Sequence, residues 1–125
     1  MIEREVIISD YLQAYNQFDI ERMVLNFDPL IKFENISKGE INLALNGIES
    51  FIEQAEKAAA LFSSRTQTTL GYQHRENETE TGIDYRAVLA MDLPNGMKKG
   101  EELRMQGRSI FKFSGNKIIE LTDIS

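Results

Sequence analysis

Residues able to do chemistry are few in this chain and widely spaced. His74 is the only histidine and there is no cysteine, which excludes thiol nucleophiles, disulfides and Cys-ligated metal centres. His74 alternates with Leu70 and Tyr72 on one strand face and runs straight into Arg75-Glu76-Asn77-Glu78. With no second histidine and no acid partner nearby in sequence, it reads as a solvated strand-end residue rather than a metal ligand. The acid-rich Glu76-Asn77-Glu78-Thr79-Glu80 lacks the spacing of a calcium loop and reads as a solvated hairpin tip. Tyr11 shares a helical face with Tyr15 and Phe18, which suits a core tyrosine or one that donates a hydrogen bond at the rim of a pocket. From Thr81 to Leu93 the chain alternates: Asp84, Arg86, Val88, Ala90 and Asp92 share one side, and Ile83, Tyr85, Ala87, Leu89, Met91 and Leu93 the other. On alternation alone either side fits an inward position. No phosphate-cradling glycine loop, nucleophile elbow, zinc-protease helix or dinucleotide fingerprint is present.

These residues sit in a chain of 125 with 14 basic and 20 acidic side chains, a net charge of −6. At this length a single domain spanning residues 1–125 is expected, with enough buried surface to fold without cross-links. The acidic balance, with Lys98-Lys99 as the longest basic run, excludes a phosphate-tracking nucleic-acid surface. No apolar stretch approaches the roughly 18 residues of a membrane span. The start, Met1-Ile2-Glu3-Arg4-Glu5, carries acids where a secretory leader has a basic region, so a cytoplasmic location is expected.

The elements that must position these groups follow from periodicity. Ile7, Tyr11, Leu12, Ala14, Tyr15 and Phe18 recur at three- and four-residue steps and predict a helix over 6–18. Asp19 caps a short second helix with Ile20, Met23, Val24 and Phe27 inward and Pro29 at its end. Strands over 30–36 and 40–45 flank Ser37-Lys38-Gly39, a hairpin. Asn46, three residues before Glu49, predicts a capping box for a third helix running to about Phe62. Four period-two segments follow, over 66–75, 81–93, 101–113 and 117–124, with Pro94-Asn95-Gly96 and Ser114-Gly115-Asn116 as turns. The last three predict an antiparallel meander. Helices first and long strands afterwards give an α+β chain with helices on one face of the sheet.

This order, and the local text that carries it, resembles the nuclear transport factor 2-like superfamily, which includes SnoaL-like polyketide cyclases, ketosteroid isomerases and limonene epoxide hydrolases. The carriers are Tyr15-Asn16-Gln17-Phe18-Asp19-Ile20-Glu21, Ile31-Lys32-Phe33-Glu34-Asn35, Asn46-Gly47-Ile48-Glu49 and Gly115-Asn116-Lys117-Ile118-Ile119-Glu120-Leu121-Thr122-Asp123. The resemblance spans almost the whole chain. It implies a cone-shaped, cystatin-like α+β fold: three helices on a strongly curved, mainly antiparallel sheet, a pocket in the mouth, and frequently a dimer through the outer sheet face.

The catalytic residues of the family carry over in part. Against the ketosteroid isomerases, which serve as a general example of paired carboxyl chemistry, Tyr11 falls on the tyrosine, Asn35 on the base and Ser109 on the aspartic acid. Asparagine takes no proton at neutral pH, so that isomerase loses its base. Against the limonene epoxide hydrolases, Arg86, Asp123 and Asn35 match, while the proton-donating acid falls on Val88 and the water-binding tyrosine on Phe33. The resemblance therefore implies Asp123 as general base oriented by Arg86, Asn35 holding a water or substrate oxygen, and Tyr11 donating a hydrogen bond. Phe33, Val88, Met105, Ser109 and Phe111 are expected around the ligand, with no metal or organic cofactor. It also places the charged side of residues 81–93 inside, which leaves the apolar side to a homodimer. The expected function is binding, with or without acid–base conversion, of a small hydrophobic metabolite. The alternative is a non-catalytic dimeric binding or assembly module, which tolerates a pocket plugged by Phe33, Phe111 and Phe113, whereas an enzyme does not.

Overall fold

A computed structural model describes residues 2–125. Helix α1 (Ile2–Asn16) buries Ile8, Tyr11, Leu12 and Ala14, the three- and four-residue steps of one face. It starts four residues before the apolar periodicity does, with Glu3 and Glu5 in its first turn, where carboxylates favour the helix dipole. Its end is a Schellman turn: the Asp19 amide donates to Ala14 O at 2.9 Å and the Phe18 amide to Tyr15 O at 3.1 Å. Phe18 occupies the left-handed position at φ +59°. Asp19 then caps α2 (Ile20–Met23), its carboxylate accepting from the Arg22 amide at 3.1 Å as the sequence predicts.

Pro29 does not end that helix. It lies inside β1 (Phe27–Ser37), where β1 interrupts its pairing with the last strand between Phe27 and Lys32, the kind of break in which a residue without an amide hydrogen is tolerated. Lys38 at φ +53° and Gly39 at φ +80° form the two-residue turn to β2 (Glu40–Asn46), as expected. The predicted capping box is absent. Asn46 is the last residue of β2, and Gly47, at φ +90° with its amide donating to Ile31 O at 2.7 Å, starts α3 (Ile48–Ala59) with no side-chain cap. Phe62 belongs to the next strand rather than to the helix.

The remaining strands are β3 (Phe62–His74), β4 (Glu78–Leu89), β5 (Glu102–Ser114) and β6 (Lys117–Ile124). The sheet order is β2-β1-β6-β5-β4-β3. The β4-β5-β6 meander is as predicted; the parallel β1–β6 pair is what makes the sheet mixed. Three helices thus pack on a six-stranded, mainly antiparallel curved sheet. Rings fill the space between: Tyr11 packs on Phe27 at 5.7 Å and Phe111 at 5.6 Å, and Phe51 on Phe27 at 4.9 Å and Phe33 at 5.4 Å.

The parity of β4 is the reverse of the one the resemblance implies. Ile83, Ala87 and Leu89 are buried and Tyr85 half-buried, whereas Arg86 is exposed. The helices supply an apolar surface on one side of β4 only, and burial of the Ile83–Leu89 row outweighs any placement that would desolvate Asp84 and Arg86. Of the apolar row expected on the outside, Ile83, Ala87 and Leu89 are buried inside the cone, while Met91 is exposed. Among the described residues, no helix is long and apolar enough to cross a membrane.

Candidate functional site

Strand register builds the site. Asn35 on β1 pairs with Asp123 on β6, and Asp123 with Ser109 on β5, so three polar side chains stand in a row across neighbouring strands on the inner face. The Ser109 hydroxyl donates to Asp123 Oδ1 at 2.6 Å. Asn35 Nδ2 donates to Asn42 Oδ1 at 2.8 Å. Two chambers of about 160 and 220 Å³ meet at this row, both lined by Tyr15, Asn35 and Asp123. The smaller continues along Met105, Gly107 and Ser109. The strands close tightly there: a Cβ on Gly107 would stand 2.5 Å from Ile124 O. The larger chamber is lined by Tyr11, Phe33, Phe51 and Arg65 among others.

Burial pushes the Asp123 carboxyl up to about 6, with the Ser109 hydrogen bond pulling the other way. A carboxyl held there changes protonation near neutrality, as a proton-transfer group must. Burial, and then the neighbouring Asp123 charge, push the Tyr11 hydroxyl well above its usual value. The Tyr15 and Tyr85 hydroxyls are 2.9 Å apart, and burial raises both.

Of the residues expected in the pocket, the structure brings together Asp123, Asn35, Tyr11, Ser109, Phe33 and Met105. Arg86 is a correction. It is exposed on the outer face opposite Arg104, on the other side of the sheet from Asp123, and Ser109 orients the carboxylate instead. Val88 shares that outer face, two residues along the same strand. Phe111 is fully buried behind Tyr11 and lines neither chamber, so it belongs to the core. Phe113, also in the core, lies 5.3 Å from the Arg4 guanidinium. The chambers are open, not plugged by these rings.

His74 is no solvated strand end. Its Nε2 is 2.7 Å from Glu5 of α1 and its Nδ1 2.8 Å from the Thr79 hydroxyl, an acid partner 69 residues away that local sequence could not show. The acidic hairpin tip is tied down too, its backbone carbonyls at Arg75 and Glu76 accepting from Arg4.

Arg65 is the pocket residue that local pattern does not reveal. It is 3% exposed. Its Nε donates to Tyr15 O at 2.8 Å, and its guanidinium carbon lies 3.7 Å from the centre of the Tyr15 ring and 4.5 Å from that of Phe18. The signal was its place in the row Arg65, Gln67, Thr69, which alternates inward along β3. Among the described residues no group of three or more His, Cys, Asp or Glu side chains is placed to hold a metal ion.

No family model and no curated protein matches the chain. Solved structures do. A SnoaL-like candidate polyketide cyclase from Jannaschia is 10% identical with a TM-score of 0.82, covering 98% of this chain and 84% of its own. A candidate polyketide cyclase from Acidithiobacillus ferrooxidans is 16% identical, TM-score 0.82, over 98% and 87%. A nuclear transport factor 2-like protein of unknown function from Burkholderia pseudomallei is 9% identical, TM-score 0.77, over 98% and 90%. Identities this low carry the architecture and not the activity. The helices packed on a curved sheet, and these neighbours across nearly the full length, give the chain the cystatin-like cone fold of the nuclear transport factor 2-like and SnoaL-like proteins.

Proposed function

We propose that the protein binds a small, ring-bearing apolar metabolite in the larger chamber and moves a proton on it with Asp123. The observation that carries this reading is a carboxylate raised to about 6 by burial, facing open apolar space, with one oxygen held by Ser109. Near neutral pH the ionised carboxylate accepts a proton from carbon next to a carbonyl, leaving an enolate, and returns it from the same side. Asn35, at the junction of the chambers, and the Tyr11 hydroxyl are the groups positioned to donate to the developing oxygen. The description of neighbours of this fold as polyketide cyclases supports a ring-forming or ring-isomerising substrate.

The test is deuterium exchange at the α-carbon of 2-tetralone, a small bicyclic ketone, followed by proton NMR in deuterium oxide. The protein is expected to accelerate exchange over buffer, with a rate that rises through about pH 6 and then levels. Asp123→Asn is expected to remove about 100-fold or more of that acceleration. No acceleration by the native protein, or full acceleration by Asp123→Asn, would overturn the assignment.

The open chamber favours the ligand-binding reading over a non-catalytic assembly module, which needs no chamber. A homodimer remains part of the proposal only as a question for sedimentation.

A further inference from the structure

Arg65 is a buried cation with nothing to neutralise it. No carboxylate lies within ion-pair distance of its guanidinium among the described residues. Its Nη2 is buried without any acceptor, the one such side-chain atom among them. Taking a guanidinium out of water without a counter-charge is costly, and such groups are normally paired. Asp123 lines the same chamber but does not serve: its carboxyl is raised rather than lowered, whereas an adjacent cation would hold it down.

The surroundings hold this cation in place without satisfying it. Rings of Tyr15 and Phe18 lie against the guanidinium, and ring faces attract a cation. Phe18 reaches it from a left-handed backbone position that strains a bulky residue and is ordinarily left to glycine. The bond to Tyr15 O is not needed by that carbonyl, which also accepts from the Phe18 amide. The fold thus buries an uncompensated guanidinium at the wall of an apolar chamber.

Resting on the reading of the chamber above, we infer that its ligand carries an anionic oxygen, a carboxylate or a phenolate, seated at the Arg65 end, with the apolar ring against Phe33 and Phe51 and the reacting carbon toward Asp123. A guanidinium keeps its charge at any working pH and donates charge-assisted hydrogen bonds to an anionic oxygen, which suits Arg to this place.

The probes are 2-naphthoate and its uncharged counterpart 2-naphthamide, titrated calorimetrically into the intact protein at pH 7. Naphthoate is expected to bind at least about ten-fold tighter than the amide, the worth of a hydrogen bond to a charged group. Arg65→Met is expected to erase that ratio, and Arg65→Lys to retain part of it. Equal affinities in the native protein, or a ratio unchanged in Arg65→Met, would overturn the inference, and the native ratio alone decides if the methionine variant fails to fold. Amide binding without anion preference, beside Asp123-dependent exchange of 2-tetralone, would refute the Arg65 assignment and leave the proton-transfer reading standing. Binding of neither probe together with no exchange would refute both.

Discussion

The two faces of the sheet treat charge in opposite ways. Outside, charges are paired in water: Arg75 reaches Glu78 at 3.0 Å and Glu80 at 2.9 Å, Arg108 reaches Glu80 at 3.3 Å, and Lys112 reaches Glu120 at 3.3 Å, with Arg104 on Glu102 beside them. Inside, Arg65 and Asp123 line one chamber and neither has an opposite charge at ion-pair distance among the described residues. Exposed pairs contribute little individually, since water already solvates both partners. Unpaired interior charges oppose folding, which sets this region apart from the outer face. The Arg108–Glu80 and Lys112–Glu120 pairs outside follow from strand register, which sets those opposite charges on neighbouring strands; the isolation inside follows from walls of aromatic and aliphatic side chains.

Replacement of packed interior carbon should give the largest effect. Phe111→Ala, which removes a fully buried ring behind Tyr11, is expected to cost about 3–5 kcal/mol in denaturant unfolding. A loss under about 1 kcal/mol would mean that this part of the cone is not close-packed.

Asp123 should show the reverse sign. Its folded-state value of about 6 stands above the ordinary 3.8, so the folded chain keeps a proton that the unfolded chain releases. Its contribution is fully present at low pH, below the unfolded value, and is lost as pH rises through about 6. Asp123→Asn should therefore be more stable than the native protein at pH 8, by about 3 kcal/mol, with no gain at about pH 3. Equal stabilities across that range in urea titrations would place the carboxylate in a wetter site.

At the small end stands Arg86. On the outer face and exposed, Arg86→Ala is expected to change stability by no more than about 0.5 kcal/mol and to leave 2-tetralone exchange unaltered. A large loss of exchange would return Arg86 to the site and blur the contrast between the faces.

How much of this was legible depended on how far apart the cooperating residues lie. The Lys38-Gly39 turn and the Asp19 cap are local, and the sequence shows them as the structure does. Asn35, Asp123 and Ser109 lie on three strands, and resemblance to a known fold rather than any local pattern brought them together. The Glu5–His74 contact and the seating of Arg65 between Tyr15 and Phe18 span 69 and about 50 residues, and no spacing rule reaches that far. The capping box failed because Asn46 had a competing place in the β2 ladder, where it pairs with Lys32.

By itself the sequence determined the kinds and order of elements, because apolar periods of 3.6 and 2 choose helix or strand locally, and it excluded thiol and histidine-cluster chemistry by composition. Tertiary structure alone decided which side of β4 faces the helices. A strand alternates identically whichever way it is turned, so Arg86 inside and Arg86 outside are the same pattern until neighbouring strands and helices supply an apolar wall for one side. That single choice moved the cation of the site from Arg86 to Arg65.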